Sequence, residues 1–327
     1  MEKEIKLSIT IPTYNRCKLL KVALDSVLSQ WRDDIELLVS DNASADGTEE
    51  MMKEYCEKYP ITYVRNPENL GADRNFLNCF RMAKGKYVHL LSDDDLLVPG
   101  AVDRVIQLIN NEEPNYINLN SVWYYGDVFD PEEKKPPRIS LEEDLITTDK
   151  KEYIDKIGVY ITYASAIVLK RSDFLRVKNP EQYLGTYFLQ THMLFDILKN
   201  DNSKVIVTKD VCIATKHNNS GGFNLYEVWV KQYKKLLLET AVKNGFDYKQ
   251  MERIYLNDIH GFIKDSIIKY RVTENTYDMS KRWIFFEQTY MYPSVWKLWI
   301  YAILPEPILY RVYMWRRRKR NKQKSNK

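Results

Sequence analysis

Cysteine is sparse: four occur in 327 residues, at Cys17, Cys56, Cys79 and Cys212. They lie too far apart for a paired zinc site and suggest no dense disulfide framework, so single thiols in a reducing compartment are expected. Long apolar runs are also missing. No stretch reaches the roughly 20 apolar residues of a membrane-spanning helix. The opening MEKEIKLSITIPTYN has neither a basic leader nor a long apolar core, so no secretory signal is read there and a cytoplasmic location is expected. No internal repeat or low-complexity tract stands out. Excess charge is confined to one place: residues 307–327 carry nine Lys/Arg and no Asp/Glu, which leaves 40 basic against 45 acidic residues in the rest. A body with that balance and no basic stripe argues against nucleic acid as a partner.

What is present is globular, with 44% hydrophobic and 29% charged residues. Residues 5–11, IKLSITI, alternate as a strand does, and Pro12 is expected to end it. Leu20, Leu24, Val27 and Trp31 then recur at helical spacing. IELLVS reads as a second strand. In DNASADGTEE, Asp46 is a helix cap, with Glu49 completing a capping box. A short strand ITYV, the turn-rich RNPENLGADRN, a helix over 73–84 and the strand YVHLL follow. Pro99 opens another helix with Val102, Val105, Ile106 and Ile109 on one face. Strands separated by ten- to fifteen-residue helices predict an α/β fold with a mainly parallel sheet. DVFDPEEKKPPRISLEEDL reads as a charged, proline-rich loop. ASAIVLKRSDF and KVIV read as strands flanking a helix near 188–199. Beyond about 225 the chain is helical and aromatic. The expected division is 1–222 for the sheet domain and 223–327 for the helical extension.

LLSDDDLLVPG places Asp93, Asp94 and Asp95 directly after a strand, and three adjacent carboxylates repel one another unless cations or donors sit among them. In open α/β sheets ligands bind beyond the carboxyl ends of the strands, where Tyr14, Asp41 and this run all fall. A nucleoside diphosphate matches such a crevice: its charge needs a cation, and its base needs a flat partner and a hydrogen-bonding group. Mg²⁺ or Mn²⁺ takes one or two carboxylates and fills its other positions with phosphate and water. Asp95 is the expected metal ligand, with Asp93 and Asp94 holding ribose hydroxyls or the metal's water. The bland alternative is a solvated turn with a helix cap.

SITIPTYNR, VSDNASADGT, NLGADRN and GKYVHLLSDDD, in that order and spacing, resemble the amino-terminal half of the family 2, inverting, GT-A-fold nucleotide-sugar glycosyltransferases. The likeness runs over residues 5 to about 110, weakens to 220 and is absent beyond. Its flavour is that of bacterial surface-polysaccharide transferases, abequosyltransferase-like enzymes among them. The resemblance implies that Pro12, Thr13 and Tyr14 cradle the base, with Arg16 in the same nucleotide-binding segment. It implies that Asp41 accepts a hydrogen bond from a pyrimidine imide, as in a UDP- or dTDP-sugar, and that Arg74 lies near the diphosphate. Asp93, Asp94 and Asp95 then occupy the ribose- and metal-binding acidic motif.

The family's usual base, an acid of a Glu-Asp pair, has no counterpart in GTYFLQTHMLFDIL. His192 is the expected substitute, because imidazole accepts a proton near neutrality, with Asp196, four residues on, as the alternative; Gln190 and the loop acid Asp127 are further options. His217, in ATKHNNSGG, is expected near the metal or phosphates, in a loop whose Asn218, Ser220, Gly221 and Gly222 suit closure over a ligand. His89 and His260 read as structural. The last segment, 291–327, combines Trp296, Trp299 and Trp315 with basic residues, which suits a helix lying in the headgroup layer of the inner membrane face. That location suits a lipid-linked glycan acceptor. Self-docking or oligomer contacts would be served by the same tail. Two rivals stand beside the transferase: a catalytically degenerate scaffold, motivated by the missing pair, and a sugar nucleotidyltransferase, disfavoured because IPTYNR has no glycine-rich phosphate loop.

Overall fold

The computed structural model describes residues 4–126, 129–130, 133, 135–217, 222–275 and 277–325, with side chains to 319. Two compact units divide the chain, Met1–Asn219 and Ser220–Lys327.

The first unit is built on nine strands: β1 Leu7–Thr13, β2 Ile35–Asp41, β3 Ile61–Arg65, β4 Tyr87–Leu90, β5 Asp95–Leu97, β6 Tyr116–Tyr124, β7 Leu145–Thr147, β8 Ile167–Lys170 and β9 Val205–Lys216. Their order is β3-β2-β1-β4-β8-β6-β9-β5, with β7 also paired to β9. Strands β3, β2, β1 and β4 run parallel; β8 is antiparallel to both β4 and β6, and β9 returns parallel to β6. The sheet is thus mainly parallel, with β5, β7 and β8 reversed.

Helices α1 Cys17–Leu28, α2 Thr48–Lys58, α3 Ala72–Met82 and α4 Ala101–Glu112 connect the first strands. Leu20, Ala23, Leu24 and Val27 of α1 and Val102, Val105, Ile106 and Ile109 of α4 are buried, as the helical period predicts. They close on Leu7, Ile9, Ile11, Leu37 and Val39 of the central strands in one core. Helices α5 Lys150–Ile157, α6 Arg171–Phe174 and α7 Leu189–Ile197 complete the unit.

Two local expectations are corrected. Pro12 does not end β1; it lies inside the strand, opposite Ser40. Thr10 offers its carbonyl to Leu91 on the β4 side, so by alternation Pro12 faces that side too, and β4 pairing has already stopped at Thr10. The missing N–H therefore breaks no ladder bond. Asp46 forms no capping box with Glu49. It accepts from the Thr48 backbone and hydroxyl and from the Cys17 amide at 2.8 Å, tying the β2–α2 turn to the start of α1, while Glu49 pairs with Lys53 and Arg65.

The second unit is helical, over 225–243, 248–270, 283–289, 299–303 and 306–325, and π-type turns occur at 227–232, 236–241 and 259–263. Its interior is aromatic: Tyr226, Tyr233, Tyr255 and Phe285 are fully enclosed. Arg271 donates to the carbonyls of Tyr301 and Leu304 and so caps the end of helix 299–303. Among the described residues no helix is long and apolar enough to cross a membrane. Trp296, Ile300, Ile303, Ile308, Tyr310 and Trp315 of this unit are all exposed.

Candidate active site

Parallel pairing brings the turns after β1, β2, β3 and β4 to one end of the sheet. Asn15 and Ala43 in the first two turns hold positive φ, 53° and 65°. Asn15 is held there by exchange with the facing turn: its amide donates to Ser44 at 2.9 Å, and its side chain accepts from Ala45 at 2.7 Å. Tyr14, one residue earlier, keeps 43% of its surface exposed, an open flat face at the crevice.

The turn after β3 is set by amides. Asn42 accepts from Leu70 and Asn66 and donates to Asn69; Asn66 also donates to Asn75, which is bonded twice to Ser40. Buried amides with paired donors and acceptors have one low-energy arrangement, and this one fixes the start of α3, where Arg74 stands half-exposed with Glu181 4.0 Å away.

The three aspartates diverge. Asp93 accepts from Thr13 at 2.8 Å and from Arg16 at 3.0 Å, and Arg16 reaches Asp94 at 3.4 Å. Asp95 turns the other way, accepting from Tyr163 at 2.7 Å and Ser165 at 2.5 Å. Tyr163 also bonds Thr215 of β9. Burial lifts the Asp93 carboxyl above the usual carboxylate range against the pull of Arg16, and Asp94 adds to the lift. Burial, and then the adjacent Asp94 charge, raise Asp95 as well.

This donor set fits a hard divalent cation: three carboxylates whose mutual repulsion and burial a positive ion would relieve. Among the described residues no group of three or more His, Cys, Asp or Glu is arranged to hold a metal alone. An ion here would accordingly be shared with a ligand, as Mg²⁺ and Mn²⁺ are when bound through one or two carboxylates and a phosphate.

The structure gathers Pro12, Thr13, Tyr14, Arg16, Asp93, Asp94 and Asp95 around the ends of β1 and β4, and places Arg74 on the first turn of α3. It corrects three roles. Asp41 is no open acceptor: it is fully buried and takes bonds from the Ser44 amide and the Tyr63 hydroxyl, with Arg65 3.6 Å away. His192 is no open base. Its ring is 1% exposed and stacked on Tyr183 at 4.7 Å. Asp196, the alternative base, is engaged instead as the acceptor of the Tyr183 hydroxyl at 2.7 Å. His217 packs against Tyr125 and Trp123, with ring centroids 4.5 and 5.4 Å apart. Asp127, Asn218, Ser220 and Gly221 lie outside the described residues.

Sequence reasoning missed Tyr163 and Ser165, which hold Asp95, and Thr215, which bonds Tyr163, because they come from segments about 70 and 120 positions downstream with no motif of their own. The asparagines of NPENLGADRN were visible as turn formers, but not as a network.

The family model described as Glycosyl transferase family 2 matches residues 8–177, just over half the chain. Abequosyltransferase RfbV of Salmonella typhimurium is 27% identical over 226 residues, 65% of this chain and 68% of its own length. The GalNAc(5)-diNAcBac-PP-undecaprenol beta-1,3-glucosyltransferase of Campylobacter jejuni is 36% identical, but over only 32% of this chain and 35% of its own. Among solved structures, S. aureus TarS 1-349 in complex with UDP-GlcNAc superposes with a TM-score of 0.58 at 15% identity, over 91% of this chain and 79% of that one. Mannosyltransferase PcManGT from Pyrobaculum calidifontis, in complex with GDP-Man and Mn2+, gives 0.53 at 14% identity, over 89% and 75%. At those identities the structures establish the fold, and with the family match over the sheet unit they identify this chain as a member of glycosyl transferase family 2, with a GT-A fold.

Proposed function

We propose that the protein transfers a sugar, with inversion, from a nucleoside diphosphate sugar to a hydroxyl of a lipid-linked glycan during synthesis of a bacterial surface polysaccharide such as a capsule. One observation carries this reading: three crowded aspartates at the end of β4, tethered from one side by Thr13 and Arg16 and from the other by Tyr163 and Ser165. Tyr14 supplies a face for the base, Pro12 and Thr13 the floor beside it, and Arg74 a charge for the diphosphate. Asp93 and Asp94 bind ribose hydroxyls, and Asp95 would hold Mn²⁺ or Mg²⁺. Such an ion, when bound, neutralises charge on the departing diphosphate. Arg16 bridges Asp93 and Asp94 and opposes the burial that lifts Asp93, so the two carboxylates are held together before substrate arrives. UDP- or dTDP-sugars remain the proposed donors; the enclosure of Asp41 shifts base recognition toward Tyr14 and the turn backbone.

The named substrate of the Campylobacter relative is polyprenyl-linked, which supports a lipid-linked acceptor. Exposed Trp296, Ile300, Ile303, Ile308, Tyr310 and Trp315 on the second unit, with the basic 316–319 run, support peripheral binding of segment 291–327 to the inner membrane face. Co-sedimentation with anionic vesicles, lost in high salt, is the expected result.

The central test is calorimetry of the full chain with UDP, dTDP and GDP, with and without Mn²⁺ or Mg²⁺. Uptake that requires the cation and vanishes in Asp95→Ala is expected; a wild type that binds none of the three overturns the reading. The anomeric configuration of the transferred sugar, read by NMR, tests inversion.

A further inference from the structure

The acidic turn separates two flanks of the sheet. On the β1 side stand Thr13, Tyr14 and Arg16, assigned above to the nucleotide. On the other side, beyond β8, lie β6 and β9, and here the structure builds a second cluster. Arg138 lies in the segment after β6. Its amide donates to the Ser121 carbonyl at 2.8 Å, and the next residue, Ile139, is clamped in both directions by the Asn120 side chain. The return of this loop is therefore fixed onto β6. The Arg138 guanidinium lies 3.6 Å above the Trp123 ring and 4.6 Å from the ring of Tyr163, whose hydroxyl binds Asp95. The Arg138 charge also acts on Asp95.

Two features of the cluster suit a ligand, beside the packing of Trp123 on Arg138 and of Trp123 and Tyr125 on His217. Stacking covers the faces of the guanidinium, yet its in-plane Nε and Nη2 donors are shielded from water and have no acceptor among the described residues. Donors left so on a permanent cation are costly. Trp123 and Tyr125, at the end of the same strand, are 41% and 62% exposed. Partly exposed aromatic rings beside a planar, donor-rich group are the elements that bind sugar rings, whose C–H faces pack on aromatics and whose oxygens take hydrogen bonds.

We propose that Trp123, Tyr125 and Arg138 form the subsite for the acceptor saccharide, with Arg138 bonding its hydroxyl, carboxylate or phosphate oxygens. In-line displacement requires the incoming hydroxyl to approach from the side opposite the departing diphosphate. With the nucleotide on the β1 flank, that side is the β6–β9 flank. This inference rests on the glycosyltransferase reading for its direction of attack.

The test uses an array of bacterial polysaccharide fragments probed with labelled full-length protein, unloaded and loaded with UDP and Mn²⁺. Wild type, Tyr125→Ala, Trp123→Ala, Arg138→Gln and Arg138→Lys are compared, with UDP calorimetry on each. Tyr125 is exposed, so its variant keeps the fold. Expected is saccharide retention by wild type, a loss of tenfold or more in Tyr125→Ala and Arg138→Gln, partial recovery in Arg138→Lys, and UDP affinity changed by less than saccharide affinity. Wild type that retains no saccharide, or variants that retain it equally, overturns the proposal. Parallel loss of UDP and saccharide binding also overturns it, since the cluster would then serve the nucleotide. Failure of wild type to bind any nucleotide, with saccharide binding intact and lost in the variants, would sink the donor reading and leave a saccharide-binding site.

Discussion

Ser165 donates its hydroxyl to Asp95 at 2.5 Å and accepts the Ser92 amide on the same oxygen at 3.0 Å. One side chain thus fixes both the start of the acidic turn and its last carboxylate. His89 holds that serine from below, donating Nε2–H to its carbonyl at 2.7 Å.

Ser165→Ala removes a hydrogen bond to a buried carboxylate and strands the Ser92 amide. A loss of about 2 kcal/mol is expected in urea unfolding, in the range for bonds to charged groups. Cation-dependent nucleotide affinity should fall as well, because Asp95 is left with Tyr163 alone. Unchanged affinity alongside reduced stability would make Ser165 purely a packing residue.

Burial drives His89 down to about 4, with the Ser165 carbonyl opposing the fall. The unfolded chain titrates this ring near 6.5, so between the two values unfolding takes up a proton and stability drops as pH falls. Above pH 6.5 the contribution is fully present. At the acid end of the window the loss is roughly 3 kcal/mol. His89→Gln cannot titrate, so the gap in unfolding free energy between wild type and variant should narrow from pH 7 to pH 4.5. A gap independent of pH would contradict the assignment.

Much of this was legible in the sequence. The period of the α1 and α4 apolar residues and the apolar strand runs specified a parallel α/β core, because both signals are local. Pro12 misled, since a proline signals a strand end only where its N–H is needed, and that depends on how far β4 extends. The acidic turn was legible because three like charges in a row demand an explanation. Its tethering was not, because Tyr163 and Ser165 are brought in by tertiary contacts. His192 misled for the same reason: its chemistry was right for a base, but α7 turns the ring into the core.

Asn75 joins Ser40 and Asn66 with both ends of its amide. Asn75→Ala takes away the acceptor of the buried Ser40 hydroxyl and one of the two acceptors of the Asn66 amide, and a buried group left unsatisfied costs about 1–3 kcal/mol. Thermal melting should fall by several degrees. Asn75→Asp keeps the acceptor but not the amide donor to the Ser40 carbonyl, and should fall between wild type and alanine. Equal melting of the wild type and both variants would show that the network does not set the turn.

Arg16 is the cation that lets Asp93 and Asp94 stand side by side. Arg16→Ala leaves a partly buried cluster of like charge, and breaking one side of such a pair is strongly destabilising, by about 3–5 kcal/mol when buried and less here because Arg16 is partly solvated. A divalent ion at Asp95 would supply the missing charge, so Mg²⁺ or Mn²⁺ should raise the melting temperature of Arg16→Ala by more than that of wild type. Asp93→Asn in the same chain removes one of the repelling charges and should recover much of the loss, making the two substitutions non-additive. Melting curves of the four proteins, each with EDTA and with excess Mg²⁺, decide the matter. Additive losses with no extra gain from the cation would mean that Arg16 stabilises the turn by packing, and that the aspartates never required a counter-charge.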